Sequence, residues 1–193
     1  SSKARVPKHM ALKATIFKVS LQISDMDRHY YQAHELTIAR HPSENDARMM
    51  VRLIAFALNA EEHLSFTKGI SSDEEPDLWE IDLSGDIQHW IELGNPDEKR
   101  LRKACGRAKR VTVYCYNKRS AEQWWLQSQS ELDRFKNLSV VLIPEEFVEP
   151  LAGMAKRNME LQVTIQDGEL WVADGEQNLH LISEPLKAGS WND

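Results

Sequence analysis

Residues 74–117, EEPDLWEIDLSGDIQHWIELGNPDEKRLRKACGRAKRVTVYCYN, decide the fold. The stretch reads as strand, tight turn, strand, basic helix, strand. Ser84-Gly85 predicts a two-residue hairpin turn. Asn95 or Pro96 opens the helix, and Asp97 and Glu98 suit the positive end of its dipole. Leu101, Ala104, Cys105 and Ala108 form its apolar stripe. Val111, Val113 and Cys115 then continue as a strand.

The hairpin carries the acids. Centring the turn on Ser84-Gly85 makes paired positions sum to 169, which sets Asp77 opposite Glu92 on one face. Opposed carboxylates repel unless a cation lies between them. A divalent ion would serve, and so would a Lys or Arg. Hard oxygen donors of this kind suit magnesium or manganese. A one-residue slip would send the two acids to opposite faces. Acids at strand ends are also commonly just solvated, and Asp82 and Asp86 read as turn residues. In the helix, Lys99, Arg100, Arg102, Lys103, Arg107, Lys109 and Arg110 gather seven of the chain's 24 basic residues. Such a run is either a solvated face or a phosphate-binding surface over positions 96–110.

Upstream, residues 11–23 and Tyr30 to Ala39 predict a hairpin about a turn at SDMDR. In the first strand Leu12, Ala14 and Ile16 share one face; Lys13, Thr15 and Phe17 share the other. His41-Pro42-Ser43-Glu44 predicts a helix start capped by Ser43, with the helix running to about His63. Met50, Leu53, Ile54, Ala57 and Leu58 are its expected buried stripe. Leu64 to Ile70 predicts a strand, followed by a loop at 69–73. Downstream, Ser120 to Arg134 predicts a helix in which one of Trp124 and Trp125 packs inward while the other marks a partner surface. LSVVLI at 138–143 predicts a strand buried on both faces. A short helix over 145–153 follows, then a hairpin around Asp167-Gly168. Asn178 to Ile182 would add one more strand.

The whole chain sets bounds. Its 193 residues suit one domain over 10–193, with residues 1–9 read as an expression remnant ahead of Met10. A composition of 41% hydrophobic and 28% charged residues is that of a globular protein. No apolar run is long enough to span a membrane. The net charge of -6 argues against non-specific nucleic-acid binding over the whole surface, though not against a local patch. Cys105 and Cys115 lack CxxC spacing, and both fall on core-facing positions. They predict inert thiols in a reducing, cytoplasmic setting. The seven histidines show no zinc spacing; His41 is the one placed to approach the acids. No phosphate-binding glycine loop is present.

HPSE at 41–44, EPDLW at 75–79, WIELGNPDEKRLRKA at 90–104 and TIQDG at 164–168 resemble the YaeQ family of bacterial proteins. The resemblance covers nearly the whole chain from Met10. It implies an α/β fold with a mixed sheet, a variant of the PD-(D/E)XK nuclease-like core. That αβββαβ order would be helix 44–63, strand 64–70, hairpin 77–94, helix 96–109 and strand 110–116, with extra hairpins at both ends. It further implies that Glu44, Asp77 and Glu92 hold Mg2+ or Mn2+. The usual lysine two residues beyond the third acid is replaced by Gly94. Lys103 is the expected substitute, with Arg100 its rival. On the helical wheel Lys103 points nearly opposite Leu101 and Cys105, whereas Arg100 flanks the stripe. Two functions follow as expectations. One is a magnesium-dependent nucleic-acid phosphodiesterase using Glu44, Asp77, Glu92 and Lys103 or Arg100. The other is a non-catalytic protein that keeps the fold and binds nucleic acid or the transcription machinery. A third expectation is a protein partner at the Trp-rich helix.

Overall fold

The computed structural model describes residues 13–67 and 74–190. In chain order they form β1 (Thr15–Asp25), β2 (Tyr30–Arg40), α1 (Asp46–Asn59), β3 (Leu64–Phe66), β4 (Leu78–Ile81), β5 (Ile87–Leu93) and α2 (Glu98–Arg107). There follow β6 (Ala108–Cys115), α3 (Lys118–Leu132), β7 (Leu138–Leu142), α4 (Glu145–Gly153), β8 (Asn158–Gln166), β9 (Glu169–Ala173), β10 (Asn178–Leu181) and β11 (Glu184–Lys187). The readings for residues 1–9, Leu12 and the loop at 69–73 lie outside the described residues, as does the predicted continuation of β3 to Ile70.

The strands make two mixed sheets. One has the order β10-β9-β8-β1-β2, and the other β11-β7-β6-β5-β4-β3. The two terminal hairpins expected from sequence are both present, and a parallel β1–β8 pairing fuses them into the first sheet. The Asp167-Gly168 turn forms with both residues at positive φ. The Asp27 carboxylate accepts both of its backbone N–H groups, at 2.8 and 2.9 Å. In the second sheet β5, β6 and β7 run parallel; β5 and β6 are largely buried on both faces, whereas β7 alternates, with Leu138, Val140 and Leu142 buried and Ser139 and Val141 only half-buried.

Two cores result. α1 and α4 lie between the sheets, packed with Val19, Leu21 and Ile23 of the first and Leu78, Ile91 and Leu93 of the second. α2 and α3 cover the far face of the second sheet over Val111, Val113, Leu138 and Val140. This layering explains why α1 departs from its predicted stripe. Met49 to Ala57 are all buried, because both sides of the helix meet a sheet. α1 also starts later and ends earlier than expected. Asn45 is the N-cap, accepting the Arg48 N–H at 2.9 Å. The Ser43 hydroxyl is instead 2.8 Å from His41 Nδ1. Glu44 therefore precedes the helix rather than riding on it. Likewise α2 is capped by Asp97 and α3 by Asn117, each accepting an N–H three residues on.

The central hairpin keeps the expected register, with Leu78↔Ile91, Trp79↔Trp90 and Glu80↔His89. Its turn differs. Gly85 N–H donates to Asp82 O at 3.0 Å, so the turn centres on Leu83-Ser84, with Gly85 following at φ +85. The Asp82 carboxylate fixes it by accepting from Ser84 and Asp86 N–H groups. A register shift between Glu80 and Ile81 absorbs the extra residue. β11 had no signal of its own in the sequence. Among the described residues no helix is long and apolar enough to cross a membrane.

Candidate functional site

The chain before α1 and the entry to β4 meet at a small buried centre. A cavity of about 220 Å³ there is lined by His41, Glu44, Arg48, Arg52, Phe66 and Asp77 among others. Glu44 is almost wholly enclosed. Its Oε2 accepts from Arg48 Nη1 at 2.7 Å and Arg52 Nε at 2.9 Å, and its Oε1 accepts from Arg52 Nη2. Arg48 also donates from Nη2 to Asp77 Oδ1 at 2.7 Å. Asp77 Oδ2 accepts the Leu93 backbone N–H at 2.8 Å. One guanidinium thus bridges the two acids. Burial alone would lower the Arg48 pKa, but Asp77 and Glu44 outweigh it and hold it above its ordinary value. Tyr116, just beyond β6, borders the same network, and burial raises its phenol.

Glu92 is held from the other side of the sheet. Its Oε1 accepts from Trp90 Nε1 at 2.8 Å and from Arg100 Nε of α2 at 2.6 Å. Burial raises its pKa above the ordinary carboxylate range, against the pull of Arg100 and Trp90. Asp77 is near enough to add to the rise. The two acids are therefore electrostatic neighbours, yet each is satisfied by its own arginine. Arg100 further donates to the Glu75 carbonyl at 2.9 Å.

These contacts decide how a divalent cation would fit. Mg2+ demands several oxygen donors around one point. Here both Glu44 oxygens, both Asp77 oxygens and Glu92 Oε1 already accept hydrogen bonds. Among the described residues no three Asp, Glu, His or Cys side chains gather in a metal-binding group. In this arrangement the donor set does not fit a divalent metal. Guanidinium groups supply the positive charge that the opposed acids require.

Other expected residues fall as follows. Lys103 is exposed and pairs with Glu74 at 3.5 Å, away from the acids. Gly94 has φ +100, a conformation that penalises any side chain, so a lysine there would be strained. Trp124 and Trp125 are both half-buried against the second core, and Trp124 Nε1 donates to Pro96 O at 2.9 Å. Neither is the exposed anchor expected. Burial pushes both Cys105 and Cys115 up to about 12, leaving inert thiols. The residues that the sequence reading missed are Arg48 and Arg52. Their signal was visible: they follow Glu44 at i+4 and i+8, and Arg52 stands inside the apolar run MMVRLIAFA. An arginine there must be buried with a partner.

The sequence model of the YaeQ protein family matches residues 10–182. The chain belongs to the YaeQ family. It is 46% identical over 172 residues to the uncharacterized protein YaeQ of Escherichia coli K12, covering 89% of this chain and 95% of that one. The Salmonella typhi YaeQ protein matches to the same extent. Two crystal structures share the fold. The YaeQ protein from Xanthomonas axonopodis pv. citri superposes with a TM-score of 0.88 at 44% identity, covering 91% of this chain and 99% of that one. The YaeQ protein from Pseudomonas syringae gives 0.87 at 34% identity, covering 91% and 97%. The family thus has a mixed α+β architecture of two sheets, and the sequence resemblance at 41–44, 75–79, 90–104 and 164–168 identified it correctly.

Proposed function

We propose that this protein is a non-catalytic, nucleic-acid-binding member of the PD-(D/E)XK nuclease-like fold. The element order α1-β3-β4-β5-α2-β6 supports that fold, being the αβββαβ order of such nucleases. The observation that carries the non-catalytic reading is the pairing of Glu44, Asp77 and Glu92 with Arg48, Arg52 and Arg100. The oxygens that would hold Mg2+ or Mn2+ are engaged by arginines, and arginine does not serve as a proton-transfer base. What remains is a scaffold with a cationic surface on α2, where Arg102, Lys103 and Arg107 face solvent. Such a surface suits the phosphodiester backbone.

The test is direct. Labelled single-stranded DNA, duplex DNA and RNA are incubated with the protein and Mg2+ or Mn2+, and anisotropy is read in parallel. No cleavage above the protein-free control is expected, with salt-sensitive binding that weakens in Arg102→Glu/Lys103→Glu. Metal-dependent cleavage lost in Asp77→Ala and Glu92→Ala would overturn the proposal. It would establish instead the phosphodiesterase reading with Glu44, Asp77 and Glu92 as ligands.

A further inference from the structure

The basic surface has a structured centre that the helix alone does not reveal. Between the C-terminal end of α2 and the link from α3 to β7 is a groove of about 560 Å³. Arg102 and Lys109 line one side, and Arg134 and Lys136 the other. Among the described lining residues there is no carboxylate. The volume is in the range of a small-ligand pocket.

Its walls are tied together by hydrogen bonds to backbone carbonyls, those of Asn137 coming from its side chain. The Asn137 amide donates to the carbonyls of Cys105, Ala108 and Lys109, at 3.0, 3.1 and 3.3 Å. This holds the α3–β7 link against the α2–β6 junction. Ser190 N–H donates to Lys136 O at 2.7 Å, closing the third side. The four cations are thus mounted on segments whose relative position is fixed before any ligand arrives. Such preorganisation lowers the cost of binding.

The cations divide into two pairs. Arg102 and Arg134 both bond to Glu98, which lies beside the groove, so one carboxylate orients two guanidiniums. Lys109 and Lys136 have no carboxylate partner among the described residues and are exposed. Three net positive charges are left, four cations less Glu98. Phe135 supplies an apolar wall, with the Arg134 guanidinium 5.5 Å from its ring centre. Cations converging beside a ring are what a nucleotide unit needs, phosphate to the cations and base to the ring. Cys105 also lines the groove, and its thiol stays protonated, so the groove holds rather than reacts.

We infer that this groove seats the phosphate of a nucleotide unit in single-stranded nucleic acid, with Lys109 and Lys136 as its principal contacts. This rests on the nucleic-acid reading above and names its contact point. The phosphate could belong to a strand or to a free nucleotide, and the experiment separates the two. Amide spectra of the 15N-labelled protein are titrated with the dinucleotide TpT and with inorganic phosphate. Anisotropy is measured in parallel with a labelled 12-nucleotide single strand and its duplex. The expected result is shifts at Gly106, Lys109, Lys136 and Asn137, and tighter binding of the single strand than of the duplex.

The Lys109→Glu/Lys136→Glu variant should bind the single strand about tenfold more weakly, with a log–log salt slope shallower by about 1.4. A control variant, Lys118→Glu/Arg119→Glu at the far end of α3, should bind as wild type. If the strand binds but the groove amides stay silent and Lys109→Glu/Lys136→Glu binds normally, the groove assignment is overturned and nucleic-acid binding stands. If TpT or phosphate shifts the groove but no strand binds, the ligand is a free phosphate compound and the single-strand assignment fails. If nothing binds, both readings fall.

Discussion

Replacing Arg48 by alanine removes the guanidinium that joins Glu44, ahead of α1, to Asp77 at the entry of β4. Its guanidinium bonds Glu44 and Asp77, each at 2.7 Å, and only 16% of its side chain is exposed. The acids it serves are 1% and 9% exposed. Breaking a buried ion pair by removing one partner costs about 3–5 kcal/mol, since a charge is left without compensation. Two features point to the lower end. Glu44 keeps Arg52, and Asp77 keeps the Leu93 N–H. The expected loss is about 3 kcal/mol, or roughly 6–12 °C in Tm for a chain of this size. Urea unfolding followed by tryptophan fluorescence measures it, with an unchanged m-value showing that the shift in midpoint is a change in stability. Arg48→Lys should recover only part, because an ammonium lacks the planar fork that reaches both acids. In the Arg48→Ala/Asp77→Asn double variant the amide no longer needs a cation. The double should therefore cost at least about 1 kcal/mol less than the sum of the singles. A loss below about 1 kcal/mol for Arg48→Ala, with an additive double, would refute the clamp.

Three further outcomes are expected. His89 is buried against Thr112 and its pKa is lowered to about 3 by burial, then by Arg110 and Arg28. The unfolded chain takes up this proton below about pH 6.5 and the folded chain does not, so stability falls as pH drops from there toward 3. Between pH 6.5 and 4.5 the loss is about 2–3 kcal/mol, and it should disappear in His89→Gln when unfolding is compared across that window. Glu92 has the opposite sign: its raised folded pKa makes its ionisation costly as pH rises above about 4.5. Glu92→Gln should gain stability relative to wild type over that rise, and a difference independent of pH would count against it. Gly94→Lys should lose about 1–2 kcal/mol from the left-handed backbone alone, since a Cβ there meets open space. It should not create metal-dependent cleavage in the oligonucleotide assay.

The central hairpin and α2 were legible because turn residues, caps and apolar spacing agree locally. The 169 register survived although the turn lies one residue earlier, since the step at Gly85 and the shift at Glu80/Ile81 each restore one position. Facts that depend on packing were not legible. α1 read as one-sided because no local pattern says that a second sheet will cover its other face. β11 has only four residues and is placed by pairing with β7, which lies more than 40 positions away. Asp77 was read as a ligand from its register opposite Glu92, and Glu44 from the family resemblance. What redirected them was Arg48, whose reach to both acids is a tertiary fact. Arg52 could have given warning, as a charge inside an apolar run. Arg134 and Lys136 fall outside the basic helix in sequence, and tertiary contacts, the Asn137 link and the shared Glu98 among them, bring them to Arg102 and Lys109.

Manganese binding tests the clamp most directly. Free Mn2+ is followed by its paramagnetic resonance signal as wild-type protein is titrated in. The clamp predicts no stoichiometric depletion of the signal at sub-millimolar metal. It would be contradicted by saturable one-to-one binding that Asp77→Asn abolishes, since the metal would then be displacing Arg48 from the acids.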